Sequence, residues 1–207
     1  VAQRLTRGER KERTRAELVA AARQVFLRSG FHSATLEDIA AEAGYTKGAV
    51  YSNFDGKDDL FLAVLDDNYE QQRHAQVGLM RSGTTLDAGL RAAARALAER
   101  ARQDPKWTPL LVEFWTHASR NAPLRREVLA RHERQMDVYA ATLAQLAAQH
   151  DLEFAVPPRQ VARSANALTR GVALERLLDP DAIPARRFED MFAMLVLGHT
   201  RPRERPA

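Results

Sequence analysis

The chain has 207 residues, 45% hydrophobic and 28% charged, which excludes a disordered polymer and allows one sizeable core or a small domain joined to a larger one. No run of about 18 consecutive apolar residues occurs, so neither a membrane span nor a membrane partner is expected. Cysteine is absent, which excludes disulfides and thiolate metal sites and fits a reducing cytoplasm, the expected compartment.

The net charge is +4, and its placement matters more than its size. Arg4, Arg7, Arg10, Lys11, Arg13 and Arg15 outnumber Glu9 and Glu12 by a surplus equal to that of the whole chain. The opening "VAQRLTRGERKERTR" has no apolar segment of the kind a secretory signal needs. Residues 1–13 are therefore read as a basic flexible arm, either a solvated tail or a segment that follows a phosphate backbone.

Apolar residues recur at helical spacing nearly everywhere and sustained alternation is missing, so the fold is expected to be all-α. Thr14-Arg15-Ala16-Glu17 reads as a capping box opening the first helix, with Leu18, Ala22, Val25 and Phe26 as its apolar stripe and Gly30 as its end. A second box at Thr35-Leu36-Glu37-Asp38 starts a helix over 36–43, which Gly44 closes. Thr46 caps a helix over 47–53, and Asp55 caps a long helix over 56–81. Further helices are predicted at 85–103, 107–120, 123–149, 158–178 and 185–198, punctuated by Asp104-Pro105, Ala122-Pro123, Pro157-Pro158 and Asp179-Pro180.

Two short helices joined by Gly44-Tyr45-Thr46 form a helix-turn-helix by spacing alone. The second of them is the one a DNA major groove admits, leading with Thr46, Lys47 and Gly48. On this basis residues 14–66 form an expected DNA-binding domain and residues 67–207 a larger helical domain, to which the resemblance described next assigns ligand sensing and dimerisation.

The stretch "TLEDIAAEAGYTKGAVYSNFDGKDDLF" resembles the DNA-binding signature of the tetracycline-repressor (TetR/AcrR) family. The matching positions are Gly44, Thr46, Lys47, Gly48, Ala49, Val50, Tyr51, Phe54, Lys57 and Leu60. "ELVAAARQVFLRSGFHSATLEDIA" matches the family's first two helices. The resemblance covers about residues 12–66 closely and the remainder only in helical layout. It implies an N-terminal three-helix unit that binds double-stranded operator DNA through Thr35, Thr46, Lys47, Gly48, Ala49, Tyr51, Ser52, Asn53 and Lys57. Asn53 stands where the family usually has histidine, which forgoes a positive charge there. Tyr45 stands where valine is commoner. Tyr51 offers its hydroxyl to phosphate or base, or else packs its ring within the unit. Lys47 can reach guanine or phosphate. Lys57 is expected at a phosphate together with free amides of the long helix, while Thr35 and Thr46 serve as caps first. Between Thr35 and Asp58 two lysines face Glu37, Glu42, Asp38, Asp55 and Asp58, so groove binding needs help from the basic arm.

In the larger domain "QVARSANALTRGVALERLL" and "FEDMFAMLVLG" read as half of a four-helix interface, with Val161, Ala165, Leu168, Val172, Phe188, Phe192 and Leu195 facing a second copy. The resemblance implies the same homodimer. Trp107, Leu111, Phe114, Trp115 and His117, with Met136, Tyr139, Asn166 and Arg170 on facing helices, are candidate walls of a pocket for a mostly hydrophobic inducer. The alternative for each is an ordinary core or surface position. The six histidines are scattered, with no metal-binding or nucleophile motif, so neither an enzyme nor a cofactor is expected. The reading is a ligand-responsive homodimeric regulator, a repressor, bound to a near-palindromic operator. The alternative is a helical small-molecule-binding or interaction protein whose helix-turn-helix is vestigial.

Overall fold

The computed structural model describes residues 6–203; the side chains of residues 75–77 and 79–82 lie outside that description, as does Arg4 of the expected arm. Helix α1 spans Arg7–Ser33, beginning seven residues before the expected start at Thr14. Its N-cap is Thr6, whose hydroxyl accepts from the Glu9 amide at 3.2 Å while the Glu9 carboxylate accepts from the Thr6 amide at 2.7 Å. Residues 7–13 are therefore helical, not a flexible arm. The chain offers two Thr-x-x-Glu boxes, and the upstream one wins because the arginines, lysine and glutamates between them are good helix formers. Gly30 does not end the helix; at φ 80° it breaks it, and one further turn follows.

Helices α2 (Leu36–Ala43), α3 (Lys47–Tyr51) and α4 (Lys57–Ser82) follow. At the start of α4 the expected cap runs the other way, since the Asp55 amide donates to the Asp59 carboxylate at 3.2 Å. The remaining helices are α5 (Leu86–Gln103), α6 (Trp107–Ser119), α7 (Ala122–Gln149), α8 (Pro158–Leu178) and α9 (Ala185–Leu197). The sequence reading missed a two-stranded antiparallel ribbon, β1 (Leu152–Phe154) against β2 (Thr200–Pro202). Three-residue strands are too short to show a period of two.

Contacts divide the chain into two compact units, one running to Tyr69 and including Leu110–Val128, the other comprising Glu70–Pro109 and Leu129 onward. Leu110–Val128 was assigned by sequence to the larger domain. The first unit closes around Phe26, Phe31, Phe61 and Phe114, all buried. Phe61 stacks on Phe114 at 3.9 Å between centroids, and Phe31 meets both edge-on at 5.4 and 5.0 Å. Offset and edge-to-face pairs of this kind contribute about 0.5–1.5 kcal/mol beyond their burial.

The second unit packs α5, α7, α8 and α9 around Leu90, Ala94, Leu143, Val161, Phe188 and Phe192. Two arginines of α5 reach α9: Arg95 makes a two-pronged bond to Glu189 at 3.0 and 2.8 Å, and Arg91 bridges Asp87 and Asp190.

This packing corrects the dimer assignment. Val161, Ala165, Val172, Phe188 and Phe192 are buried by their own chain, and Leu168 and Leu195 are partly buried against the same core. The more continuous apolar stripe of a helix goes to its own core first. The outer faces carry Leu174, Leu178 and Met194, the last two at 90% and 67% exposure.

Candidate nucleic-acid interface

α2 begins at Thr35, whose hydroxyl accepts from the Asp38 amide at 3.1 Å, while the Asp38 carboxylate accepts from the Thr35 amide at 3.2 Å. The Thr35 hydroxyl, donating to the Asp38 carboxylate at 2.6 Å, and then the Thr35 amide hold the Asp38 carboxyl below its ordinary pKa. α2 ends at Gly44 in the left-handed conformation (φ 71°). The Tyr45 amide donates to Ala40 O at 2.8 Å and the Gly44 amide to Ala41 O at 3.1 Å, which satisfies the helix's last carbonyls and turns the chain. Thr46 then caps α3, accepting from the Ala49 amide at 3.2 Å.

One face of α3 is an anchor and the other is open. Val50 is 0% exposed and Phe54, just beyond, 2%. Lys47, Gly48, Tyr51 and Ser52 are exposed and Ala49 half-buried. Tyr51 is 54% exposed, so its ring is not packed into the unit. The Lys47 ammonium pairs with the Glu37 carboxylate of α2 and lies 5.7 Å from the Tyr51 ring centroid. Their hydrogen bond raises the Lys47 pKa and lowers that of Glu37.

Two expected contact residues are committed inward. The Asn53 side-chain amide donates to Ala49 O at 2.8 Å, closing the end of α3, and its Oδ1 is buried with no hydrogen-bond partner among the described residues. Lys57 donates to His32 O and Ala34 O, both at 3.0 Å, and sits 4.8 Å over the Phe31 ring. It therefore holds the segment between α1 and α2 by satisfying carbonyls after the Gly30 break.

Three ties that the sequence reading did not identify fix this platform. The Tyr45 hydroxyl donates to Glu17 at 2.5 Å, fastening the turn to α1; that bond first, then Arg13, lowers the Glu17 pKa. Arg15 donates to Asn53 O at 2.8 Å with its guanidinium 4.2 Å over Phe54. Arg28 pairs with Glu42 at 2.9 Å. The acids that looked repulsive in sequence are thus partly spent: Glu37 on Lys47, Glu42 on Arg28 and Asp38 on its own cap.

The proposed pocket walls do not come together. Phe114 belongs to the aromatic cluster of the first unit, and His117 bonds Asp58 at 3.0 Å. Glu113 in the same helix accepts from the Phe31 and His32 amides at 3.0 and 2.8 Å. The φ of 80° favours glycine at position 30, and a Cβ there would press on the Glu113 carboxylate at 3.0 Å. Trp107, Leu111 and Trp115 are half-buried. Met136 is buried, and Arg170 lies 3.4 Å from the half-buried His132, whose pKa falls to about 4 through burial and then the Arg170 charge. Tyr139 and Asn166 do meet, in the second unit, around a cavity of about 70 Å³ that Gln72, Thr142, Thr169 and Phe192 also line. Ala165, assigned by sequence to the dimer interface, lines it as well.

A glycine-turned helix pair whose second member exposes its leading edge defines a DNA-binding protein of the helix-turn-helix class. Residues 18–64 match the family described as bacterial regulatory proteins, tetR family, and residues 87–199 match BetI-type transcriptional repressor, C-terminal. The chain belongs to the tetR family of transcriptional regulators, which are not enzymes.

The transcriptional regulator TtgR of Pseudomonas putida is 42% identical over 66 residues, 32% of this chain and 31% of that protein. The transcriptional activator FasR of Mycolicibacterium smegmatis is 34% identical over 110 residues, 53% of this chain and 48% of that protein. The matched region thus spans about half or less of these relatives. Among solved structures, FadR of Bacillus subtilis in complex with stearoyl-CoA superposes with a TM-score of 0.72 at 14% identity, covering 88% of this chain and 98% of that one, which shows a shared fold. Among the described residues no helix is long and apolar enough to cross a membrane.

Proposed function

We propose that this protein is a homodimeric repressor that holds near-palindromic operator DNA through α3 and lets go when a small, mostly hydrophobic molecule binds its second unit. The observation that carries the DNA reading is the two-faced α3: Val50 and Phe54 sink into the bundle while Lys47, Gly48 and Tyr51 stand open. Those three, with Thr46, make the groove contacts, and Ala49 and Ser52 adjoin them. Thr35, Asn53 and Lys57 act chiefly by holding the platform in place. The helical start of α1 adds Arg7, Arg10 and Lys11 as phosphate contacts.

The exposed outer stripes of α8 and α9, with Leu174, Leu178 and Met194, support pairing with a second copy. A two-fold dimer sets its recognition helices about 34–36 Å apart, one turn of DNA. Release requires that the effector favour a conformation with a different spacing, since a ligand without such preference shifts nothing. α4 offers a route for that change, because it starts at Lys57 beside the platform and runs unbroken to Ser82. Repression is supported by the BetI-type repressor match. The FasR relative favours activation instead, and a transcription assay with and without the protein separates the two.

Fluorescence anisotropy against DNA from upstream of its own coding region, at two salt concentrations, tests the reading. Sequence-specific binding supports it. Weak binding, equal for all sequences, would point instead to a ligand-binding protein with a vestigial helix-turn-helix.

A further inference from the structure

Two cavities of the second unit differ in scale. The one at Tyr139 and Asn166 holds about 70 Å³, room for a few waters. A groove between the C-terminal ends of α5 and α8 and the connection into α9 holds about 460 Å³, within the range of small-molecule sites. Its walls are mostly apolar, with Ala98 and Ala101 on α5, Ala173 and Leu177 on α8, and Ile183 and Pro184 on the connection.

Three arginines also line it, and they are not equivalent. Arg95 is paired with Glu189, and Arg102 with Glu99 at 3.0 and 2.7 Å. Arg176 has no carboxylate partner among the described residues. Its Nε and Nη2 both donate to the Ile183 carbonyl, at 3.0 and 2.5 Å, which orients the guanidinium outside any ion pair. The side chain is half-buried, so its charge is less screened than one in open solvent. Glu99, paired with Arg102, and Asp181 line the groove as well, so its three arginines outnumber its carboxylates, and Arg176 is the oriented one of them outside any ion pair among the described residues. An oriented cation in a mostly apolar trough fits a ligand with one anionic head and an apolar tail.

We propose that this groove binds an amphipathic monoanion, its head on Arg176 and its tail along Ala98, Ala101 and Leu177. The proposal deepens the effector reading by naming a ligand class and a place for it. It rests on that reading only for its regulatory consequence, because binding can be measured without DNA.

The test is calorimetric titration of the full chain with octanoate and, in parallel, with the neutral 1-octanol. Octanoate should saturate at one site per chain. Arg176→Gln should weaken octanoate by about tenfold or more while leaving octanol within about threefold. Because Arg176 also holds Ile183, a second variant is needed: Ala101→Trp fills the trough without touching that bond and should abolish binding of both probes. Asn166→Leu, at the smaller cavity, should leave octanoate affinity unchanged. Absence of saturable octanoate binding, or loss in Asn166→Leu with retention in Ala101→Trp, would overturn the proposal. So would an Ala101→Trp variant that alters the sedimentation mass while octanoate fails to bind the parent, which would make the groove a seat for a second copy. A protein that binds octanoate here but no operator keeps the groove and loses the regulator, so the two failures are distinguishable.

Discussion

The first unit is held by special positions and the second by repetition. In the first, single groups do unlike jobs: Gly30 takes a left-handed break, Glu113 receives the two amides that follow it, and Lys57 caps the carbonyls next along. In the second, alanines and leucines of α5 pack on the phenylalanines of α9, and like arginine–carboxylate pairs repeat along the seam. A surface that must present one short helix in a fixed pose needs unique ties. A unit that accommodates a ligand, as proposed for the second, can be built from interchangeable contacts, which also allow neighbouring helices to shift.

The sharpest way to break this contrast is to remove Phe114. Truncation to alanine should cost about 3–5 kcal/mol and unfold the first unit ahead of the second, seen as two transitions in urea monitored by tryptophan fluorescence and far-UV dichroism. A single unshifted transition would mean that the aromatic cluster is not the keystone. Glu113→Ala leaves the Phe31 and His32 amides without their acceptor and should cost about 1–3 kcal/mol, with faster hydrogen exchange confined to residues 30–35.

Replacing Arg7, Arg10 and Lys11 with glutamine should leave stability nearly untouched. It should lower the slope of log affinity against log salt by about 2.7 if all three meet phosphate. An unchanged slope would remove the start of α1 from the DNA surface.

The smallest effect is expected in the second unit. Arg95, chiefly through its hydrogen bond, depresses the pKa of Glu189. The stabilisation from that pair is therefore complete above the unfolded value, about 4.3, and is lost as pH falls through the lower folded value. Glu189→Gln should lower the midpoint at neutral pH, where the pair is fully formed, and flatten the acid limb, so that the two curves converge as pH falls below about 4.3. A parallel curve would show that the seam is redundant there.

Helix boundaries were legible to within a residue or two from α4 onward, because prolines and glycines stop helices by local sterics. The leading edge of α3 was legible for the same local reason, since Gly44 and Thr46 act within their own turns. The start of α1 was not, because two equally good capping boxes lie within one helical stretch. The sequence reading also mistook which stripe of α8 and α9 faces inward. Both faces carry apolar residues, and only the neighbours decide between them.

By itself the sequence determined an all-α chain, the glycine-turned helix pair and the family it belongs to, because those depend on short-range spacing. Only the tertiary structure decided that Glu113 and His117 serve the first unit, that Asn53 and Lys57 turn inward, and that Tyr45 ties the turn to α1. Each of these pairs a side chain with a group distant in the chain or with one of several reachable partners. Such a choice depends on which surfaces meet, and residue spacing alone carries no record of it.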